Sequence, residues 1–426
     1  MSDIEWIETT VGEYCPFIYG KALPQSKRIS GNIPVYGSNG IVDFHNSSCV
    51  NTAGVIIGRK GSVGAIHLSE KPFWAIDTAF YIVNDDLEEL KFTYYLLKTL
   101  GLSEMNSDSA VPGLNRENAH SLKIKIPKDK FHRCEIGKRL SIFDQKIQLN
   151  TQINQTLEQI AQALFRSWFV DFEPVRTKVQ ALSEGMSLEQ AELAAMQTIS
   201  GKTPEELTAL SQTQPEHYAE LAETTKAFPC EMVEIDGVEV PKGWELSTIG
   251  DCYDVVMGQS PKGETYNENK QGMLFYQGRA EFGWRFPTPR LFTTDPKRIA
   301  EQNSILMSIR APVGDINIAL EKCCIGRGLA ALQHKSKSLS FGLYQIQSIK
   351  PELDLFNGEG TVFGSINQAN LKNIQIINPE EKFIQLFEKN LSSCDSKIMN
   401  NEIENNALKE IRDLLLPRLL SGEIQL

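Results

Sequence analysis

Residues 131–169 read FHRCEIGKRLSIFDQKIQLNTQINQTLEQIAQALFRSWF, and this stretch sets the architecture that we expect for the whole chain. Apolar residues recur in it at alternate steps of four and three, from Ile136 through Leu140 and Phe143 to Trp168. Such a narrow apolar stripe is typical of a helix that pairs with another helix as a coiled coil. The alternative is an ordinary core helix. However, about 40 residues at ~1.5 Å each give ~60 Å, which exceeds a small domain and favours pairing.

A second stripe with the same steps runs from Phe387 to Leu419 near the C-terminus. Each stripe contains two Asn at matching places, and these four residues are Asn150, Asn154, Asn401 and Asn405. A buried Asn in such a stripe costs stability but fixes the register of pairing, because a slipped alignment leaves its amide without a partner. Parallel and antiparallel pairing are both geometrically possible, and the internal symmetry of the chain favours antiparallel pairing.

The segments that precede the two helices also repeat. The matching pairs are Trp6–Gly12 with Trp244–Gly250, Gly54–Gly64 with Ser304–Gly314, and Gly113–Pro127 with Ser365–Pro379. Alternating apolar residues and turn glycines predict short strands in both copies. Short amphipathic helices are predicted at 87–100 and 339–349. Dispersed matches at slowly drifting offsets indicate a duplicated domain with loop insertions.

We therefore expect an α+β protein with two tandem mixed α/β domains, separated by two long helices that form an antiparallel coiled coil, and with internal pseudo-twofold symmetry. The predicted segments are a first domain at 1–127, a first long helix at 128–174, an acidic helical insertion or linker at 175–240, a second domain at 241–378 and a second long helix at 379–426.

The net negative charge of the chain is concentrated in one segment. The net charge is −11, and residues 181–239 alone hold 12 acidic residues against two Lys. The two repeated units are therefore nearly neutral and have room for local basic faces. The overall charge does not exclude a nucleic-acid partner.

Several function classes lack the residues that their chemistry needs. No apolar run approaches the roughly 20 residues of a membrane span. Eight Cys occur without a Cys-x-x-Cys pair, which indicates a reduced cytoplasmic protein without a zinc site. Gly201-Lys202-Thr203 resembles the end of a phosphate-binding loop, but Met196 stands where that loop needs Gly. There is also no Pro-Pro pair of the kind that a base-methylating loop would use, and no convincing carboxylate pair for a nuclease. These absences favour a binding protein over a self-sufficient enzyme.

Five further features carry a family resemblance: the paired openings at Trp6 and Trp244, and the segments Arg310–Gly314, Gly364–Asn367, Trp168–Pro174 and Leu415–Gly422. With these features and its duplicated architecture, the chain resembles the DNA-specificity subunit of type I restriction–modification systems. The resemblance covers nearly the whole chain. Each motif alone is degenerate, and the match is specific in architecture.

The resemblance implies that each repeat is a target recognition domain for one half of a split, asymmetric site in double-stranded DNA. The long helices would act as a ruler, with half-sites about one turn or ~34 Å apart. The implied partners are two methylating subunits, which bring S-adenosylmethionine, and ATP-driven restriction subunits that work with Mg. The subunit itself would have no catalytic residues, cofactor or metal. The alternative is a protein-interaction scaffold of decayed or orphan type, which would lack steep salt dependence and sequence preference.

Directional hydrogen bonds from loop side chains would read the bases, because Arg suits guanine and Asn or Gln suits adenine. The predicted base contacts are Asn39, Arg59, Lys60 and Arg116 in the first domain, and Gln277, Arg279, Arg310 and Arg327 in the second. The predicted phosphate contacts are Lys262, Arg285 and Arg290. For each of them, the alternative is an ordinary surface or ion-pair residue. For the aromatic residues Trp168, Phe169 and Phe172, the sequence is equally compatible with a place in the core and with an exposed patch that docks a partner.

Overall fold

The computed structural model describes residues 4–105, 113–358 and 364–424. The chain divides into two compact units: residues 1–153 with 399–426 form the first, and residues 154–398 form the second. The outermost ends of the predicted segments, at 1–3 and 425–426, lie outside the described residues. Each unit combines one strand-rich domain with a portion of both long helices.

The first unit is a mixed α/β domain with three small sheets. Its strands are β1 (Trp6–Thr10), β2 (Ile18–Tyr19), β3 (Ile33–Gly37), β4 (Gly40–His45), β5 (Gly54–Gly58), β6 (Ile66–Ser69), β7 (Trp74–Ala75), β8 (Ala79–Val83) and β9 (Lys123–Pro127). Its helices are α1 (Val11–Tyr14), α2 (Leu87–Lys98), α3 (Arg116–His120) and the start of α4 (Lys130–Phe169). The sheet orders are β2-β8-β5-β6, β4-β3-β7 and β1-β9. Among these described strands, β3 and β7 pair in parallel and the other pairs are antiparallel.

Apolar strands build the core of the first unit. All five residues of β5 are buried, and Val55 and Ile57 pack with Phe80 from β8. Helix α2 begins at the side chain of Asp86, which accepts hydrogen bonds from two N–H groups of the first turn, and its apolar face covers the sheet. Leu419, from the C-terminal helix, joins the same core.

The second unit contains the remaining elements. Its helices are α5 (Glu173–Ser183), α6 (Leu188–Ser200), α7 (Pro204–Thr213), α8 (Pro215–Ala227), α9 (Ile249–Cys252), α10 (Leu339–Ser348), α11 (Lys350–Asp354), α12 (Gln368–Lys372) and the start of α13 (Glu381–Ser421). Its strands are β10 (Met232–Ile235), β11 (Val238–Pro241), β12 (Glu245–Thr248), β13 (Tyr253–Met257), β14 (Tyr266–Asn267), β15 (Met273–Tyr276), β16 (Leu291–Thr293), β17 (Ile299–Ala300), β18 (Ile305–Ser308), β19 (Ile316–Ile318), β20 (Cys323–Ile325), β21 (Leu329–His334) and β22 (Gln375–Asn378).

The sheets of the second unit repeat those of the first in the same chain order. The order β13-β21-β18-β19 corresponds to β2-β8-β5-β6, and β12-β22 corresponds to β1-β9. Within the order β14-β16-β15-β20-β17, the central strands correspond to β4-β3-β7, again with one parallel pair. The β17–β20 pair corresponds to the single bridge between Val50 and Phe73, and β14 is an addition. The predicted duplication is therefore confirmed, and so are the short helices predicted at 87–100 and 339–349.

The two long helices pair antiparallel within each unit, as predicted. In the first unit, Asp144 contacts Arg412, whereas Asn150, further along α4, contacts Asn405, which comes earlier in α13. In the second unit, the rings of Phe165 and Trp168 lie 5.7 and 5.9 Å from the ring of Phe387. Because partner numbers fall as α4 advances, the helices run in opposite directions.

Helix α4 ends at Phe169 rather than at the predicted 174. Phe172 adopts a left-handed backbone conformation with φ of 53°, and α5 then begins at Glu173 with Pro174 in its first turn. Trp168, Phe169 and Phe172 are only 1%, 6% and 4% exposed. Their core role is therefore confirmed, and the docking-patch alternative is wrong.

The acidic insertion predicted at 175–240 folds onto the second unit. Helices α5 to α8 confirm its helical character, but the prediction is wrong from Met232 onward, where β10 and β11 form an antiparallel hairpin. Val175 and Phe228 belong to the same core as Phe387. The buried ammonium group of Lys178 donates to the carbonyl oxygen of Phe228 at 2.7 Å.

Candidate nucleic-acid interface

Loops that follow three strands meet at one edge of the first unit. The N–H of Arg59, just after β5, donates to the carbonyl oxygen of Thr78 at 2.9 Å, and the N–H of Leu114 donates to the carbonyl oxygen of Arg59 at 2.8 Å. After β2, a Cβ at Gly20 would lie 2.0 Å from the carbonyl oxygen of Ile76, so this approach of two loops requires glycine. The strand-end loops thus form one surface.

Two of the predicted base contacts meet at an aromatic ring on this surface. The guanidinium carbons of Arg59 and Arg116 both lie 4.9 Å from the ring centroid of Tyr19, which is 47% exposed. Arg59 also donates to the carbonyl oxygen of Asp77 at 3.1 Å, and Arg116 pairs with Glu117 at 2.9 Å. Cation–π attraction therefore holds both arginines at the surface in defined positions.

Tyr19 is a candidate site residue that sequence reasoning missed. It directly precedes Gly20, the turn glycine that repeats as Gly258, so an aromatic residue beside a repeated turn was the available signal. Lys60 is exposed on the same turn as Arg59, and its N–H donates to the carbonyl oxygen of Thr78 at 3.1 Å.

Asn39 is exposed at the tip of the β3–β4 hairpin, beside the loop of Arg59. The two loops are close, because a Cβ at Gly58 would lie 2.6 Å from the carbonyl oxygen of Ser38. Asn39 also lines a cleft of about 700 Å³ with His67 and Tyr94. The structure therefore brings the four predicted base contacts of the first domain to neighbouring loops.

The second unit repeats this arrangement of loops. The N–H of Gly328 donates to the carbonyl oxygen of Gln277 at 3.3 Å, and the carbonyl oxygen of Gly328 accepts from the N–H of Ile309 at 2.9 Å. The N–H of Arg327 donates to the hydroxyl oxygen of Ser260 at 3.2 Å. These contacts join the loops that follow β13, β15, β18 and β20.

The side chains of Gln277, Arg310 and Arg327 are exposed on these joined loops. Arg310 forms a backbone bridge with Ser365, so the loop that carries Gly364–Asn367 reaches the same edge. Arg279 is also exposed, and its guanidinium forms an ion pair with Asp315. The predicted base contacts of the second domain therefore share one surface.

Two of the predicted phosphate contacts are exposed. Lys262 lies 3.9 Å from Glu264, and its side chain is 74% exposed. Arg290 forms ion pairs with Glu281 at 2.7 Å and with Glu268 at 3.6 Å, and its side chain is 55% exposed. The exposed pair between Lys262 and Glu264 is weak, so Lys262 is able to exchange partners. Arg290 is held more firmly, because the side chain of Glu281 is only 4% exposed and would be left buried without its cation.

Arg285 requires a correction, because it is only 6% exposed. Its guanidinium donates to Glu158 at 2.5 Å, forms a second ion pair with Asp395 and donates to the hydroxyl oxygen of Tyr344 at 3.3 Å. A cation enclosed by two carboxylates cannot reach a phosphate without leaving both of these largely buried groups without a cation. The predicted phosphate contact at Arg285 is therefore wrong.

The four Asn of the helix stripes are all buried, with exposures of 2% or less. The side-chain amide of Asn150 donates to the amide oxygen of Asn405 at 3.0 Å and to the carboxylate of Glu404 at 2.7 Å. Asn154, in the second unit, and Asn401, in the first, are each buried on their own helix. A slipped pairing would break the Asn150–Asn405 contact, which is the property that a register-setting residue needs.

Over residues 4–105, 113–358 and 364–424, no three His, Cys, Asp or Glu side chains are arranged to hold a metal ion. Within the same part of the chain, no helix combines the length and the apolar character that crossing a membrane requires.

Comparison with known proteins gives a consistent result. The family model described as "Type I restriction modification DNA specificity domain" matches twice, at residues 3–159 and 241–411. The type I restriction enzyme HindI specificity subunit of Haemophilus influenzae is 42% identical over 383 residues, which cover 82% of this chain and 81% of the relative. The MjaIX specificity subunit of Methanocaldococcus jannaschii is 22% identical over 87% of this chain and 77% of the relative.

A solved structure shares the fold. The crystal structure of a type I restriction–modification S subunit from M. genitalium aligns with a TM-score of 0.59 at 16% identity, and the alignment covers 98% of this chain and 97% of that one.

Proposed function

The chain belongs to the type I restriction modification DNA specificity family, and we propose that it reads a split, asymmetric DNA sequence on behalf of methylating and restriction subunits. The first unit reads one half-site and the second unit reads the other. The chain contributes recognition and no catalysis.

One observation from each unit carries this proposal: strand-end loops converge on an edge that presents hydrogen-bonding side chains. The first edge presents Arg59, Lys60 and Arg116 beside the exposed ring of Tyr19. Arg can bind the O6 and N7 atoms of guanine with two hydrogen bonds, which is the commonest specific contact in the major groove. A surface of this chemistry suits base edges.

The second edge presents a different set of side chains. Gln277 supplies an amide that can pair with adenine, whereas Arg310 and Arg327 suit guanine. Because the two edges differ in residue type, the half-sites that they read differ in sequence. The recognition site is therefore asymmetric.

The partners in this proposal are double-stranded DNA, two methylating subunits and the restriction subunits. S-adenosylmethionine enters with the methylating subunits, and ATP and Mg enter with the restriction subunits. Most of the net negative charge lies in 181–239, and the remaining units are nearly neutral. The partners therefore supply much of the attraction to phosphate.

The test is genome-wide adenine methylation in cells that carry this chain with its methylating partner, compared with cells that lack only this chain. We expect a split motif that disappears with the chain. A variant with Arg59→Ala and Arg310→Ala should lose or alter the motif. The matched control Arg166→Ala, an exposed arginine on α4, should keep it. If the methylating partner is active but no methylated motif appears, DNA reading is refuted and the protein-interaction scaffold is favoured.

A further inference from the structure

Arg285 joins three helices of the second unit at a single guanidinium. It pairs with Glu158 on α4 and with Asp395 on α13, and it donates to Tyr344 on α10. The hydroxyl of Tyr344 also donates to Glu158 at 3.2 Å. Because one buried cation is shared by two largely buried carboxylates, removal of Arg285 leaves both carboxylates without a cation.

The backbone of Arg285 belongs to the loop that begins at Gln277. Its carbonyl oxygen accepts from the N–H of Ile318 at 2.9 Å, and the backbone of Gly283 exchanges two hydrogen bonds of 3.0 Å with the side chain of Asn317. The same loop carries Arg279, which pairs with Asp315. The loop with predicted base contacts is thus fixed to strand β19 and, through Arg285, to both long helices.

The first unit has a related cluster, but there the arginine is supplied by a different element. The hydroxyl of Tyr95 donates to Asp144 at 2.6 Å, and Arg412 from α13 pairs with the same carboxylate. Here the arginine comes from a long helix and not from a loop of the recognition surface. In the second unit, by contrast, Arg285 comes from the loop itself and links it directly to the helix pair.

We propose that Arg285 is a positioning residue, which holds the Gln277–Arg279 loop in a fixed place on the helix pair and thereby limits the spacer lengths that the second unit accepts. This inference rests on the proposed function. Arg285 touches no base in this scheme. It determines where the reading side chains stand along the DNA, so its loss relaxes spacing while base preference is retained.

The test uses the complete complex with its methylating partner and DNA duplexes that carry the wild-type motif with its spacer unchanged, one base pair longer or one base pair shorter. The triple variant Arg285→Met, Glu158→Gln and Asp395→Asn removes the ion pairs without leaving a buried charge unpaired. The matched control is Arg412→Met with Asp144→Asn, which removes the cluster of the first unit. Arg285→Lys is the conservative variant.

The measured quantity is the methylation rate on the native spacer divided by the rate on an altered spacer. We expect the triple variant to reduce this ratio at least tenfold, with base preference in each half-site unchanged. The control should keep this ratio within twofold. Arg285→Lys should give an intermediate ratio, because an ammonium group cannot span two carboxylates as a guanidinium does.

An unchanged spacer ratio in the triple variant, or an equal loss of methylation on every duplex, would overturn the proposal and leave Arg285 a purely structural residue. If the triple variant does not assemble, the result with Arg285→Lys tests the proposal instead. A spacer ratio reduced at least threefold supports the proposal, and an unchanged spacer ratio overturns it. A wild-type complex that methylates regardless of sequence would instead overturn the proposed function.

Discussion

Replacing Arg279 with Ala tests whether the loop after β15 reads a base. Arg279 is half exposed, and its structural partner is Asp315. An exposed ion pair of this kind contributes ~0–1 kcal/mol, because water and salt screen it. A two-hydrogen-bond contact between Arg and guanine discriminates against other bases by ~1–3 kcal/mol. Guanine therefore competes successfully with Asp315 for the guanidinium.

From these magnitudes, we expect Arg279→Ala to weaken discrimination at one position of the motif by about 5- to 150-fold. The other positions should keep their preferences. The assay measures binding of the assembled complex to duplexes in which each motif position is changed in turn to the other three bases, at constant salt.

The matched control is Lys262→Ala, on an exposed loop of the same unit. If Lys262 contacts phosphate, its loss weakens binding to all duplexes alike and reduces the slope of log K against log salt by about one. Uniform weakening by Arg279→Ala would refute base reading and assign that arginine to phosphate. If Arg279→Ala changed binding to no duplex, Arg279 would serve only as the ion-pair partner of Asp315.

Three further predictions concern stability, each measured by unfolding of the purified chain. Asn150→Ala removes the donor to Asn405 and should cost ~1–3 kcal/mol in urea unfolding, whereas an unchanged midpoint would contradict a role in the buried seam. Gly137→Ala places a Cβ 2.5 Å from the carbonyl oxygen of Glu88. The clash, ~1–3 kcal/mol, should outweigh the ~1 kcal/mol gain in helix propensity and lower the melting temperature. A higher melting temperature in the variant would refute the clash. Burial lowers the pKa of His334 from 6.5 to about 4, so the unfolded chain binds a proton at a higher pH than the folded chain does. The free energy of unfolding should therefore fall by on the order of 3 kcal/mol as the pH drops from 6.5 towards 4. His334→Gln should make this fall shallower, and an equally steep fall in the variant would assign it to other groups.

The architecture was predictable because its signals are local or repeated. The stripe steps from Ile136 to Trp168 need only the sequence of one helix, and the strand-end glycines Gly20 and Gly258 mark the same turn in two copies. Each glycine sits where a Cβ would meet a carbonyl oxygen, at 2.0 Å in the first unit and 2.1 Å in the second. Duplication therefore turned weak motifs into a reliable prediction.

The individual roles of the arginines were less predictable, because burial depends on partners that are far away in the sequence. Arg279 and Arg285 occur in one loop, and their residue type gives no reason to treat them differently. The carboxylates that enclose Arg285 lie 127 and 110 residues away, on the two long helices, whereas Arg279 meets Asp315 at the exposed edge. This basic loop thus carries one exposed arginine, which is the predicted base contact, and one buried arginine, which anchors the loop. Which arginine is buried depends on the side chains that the long helices present to the loop.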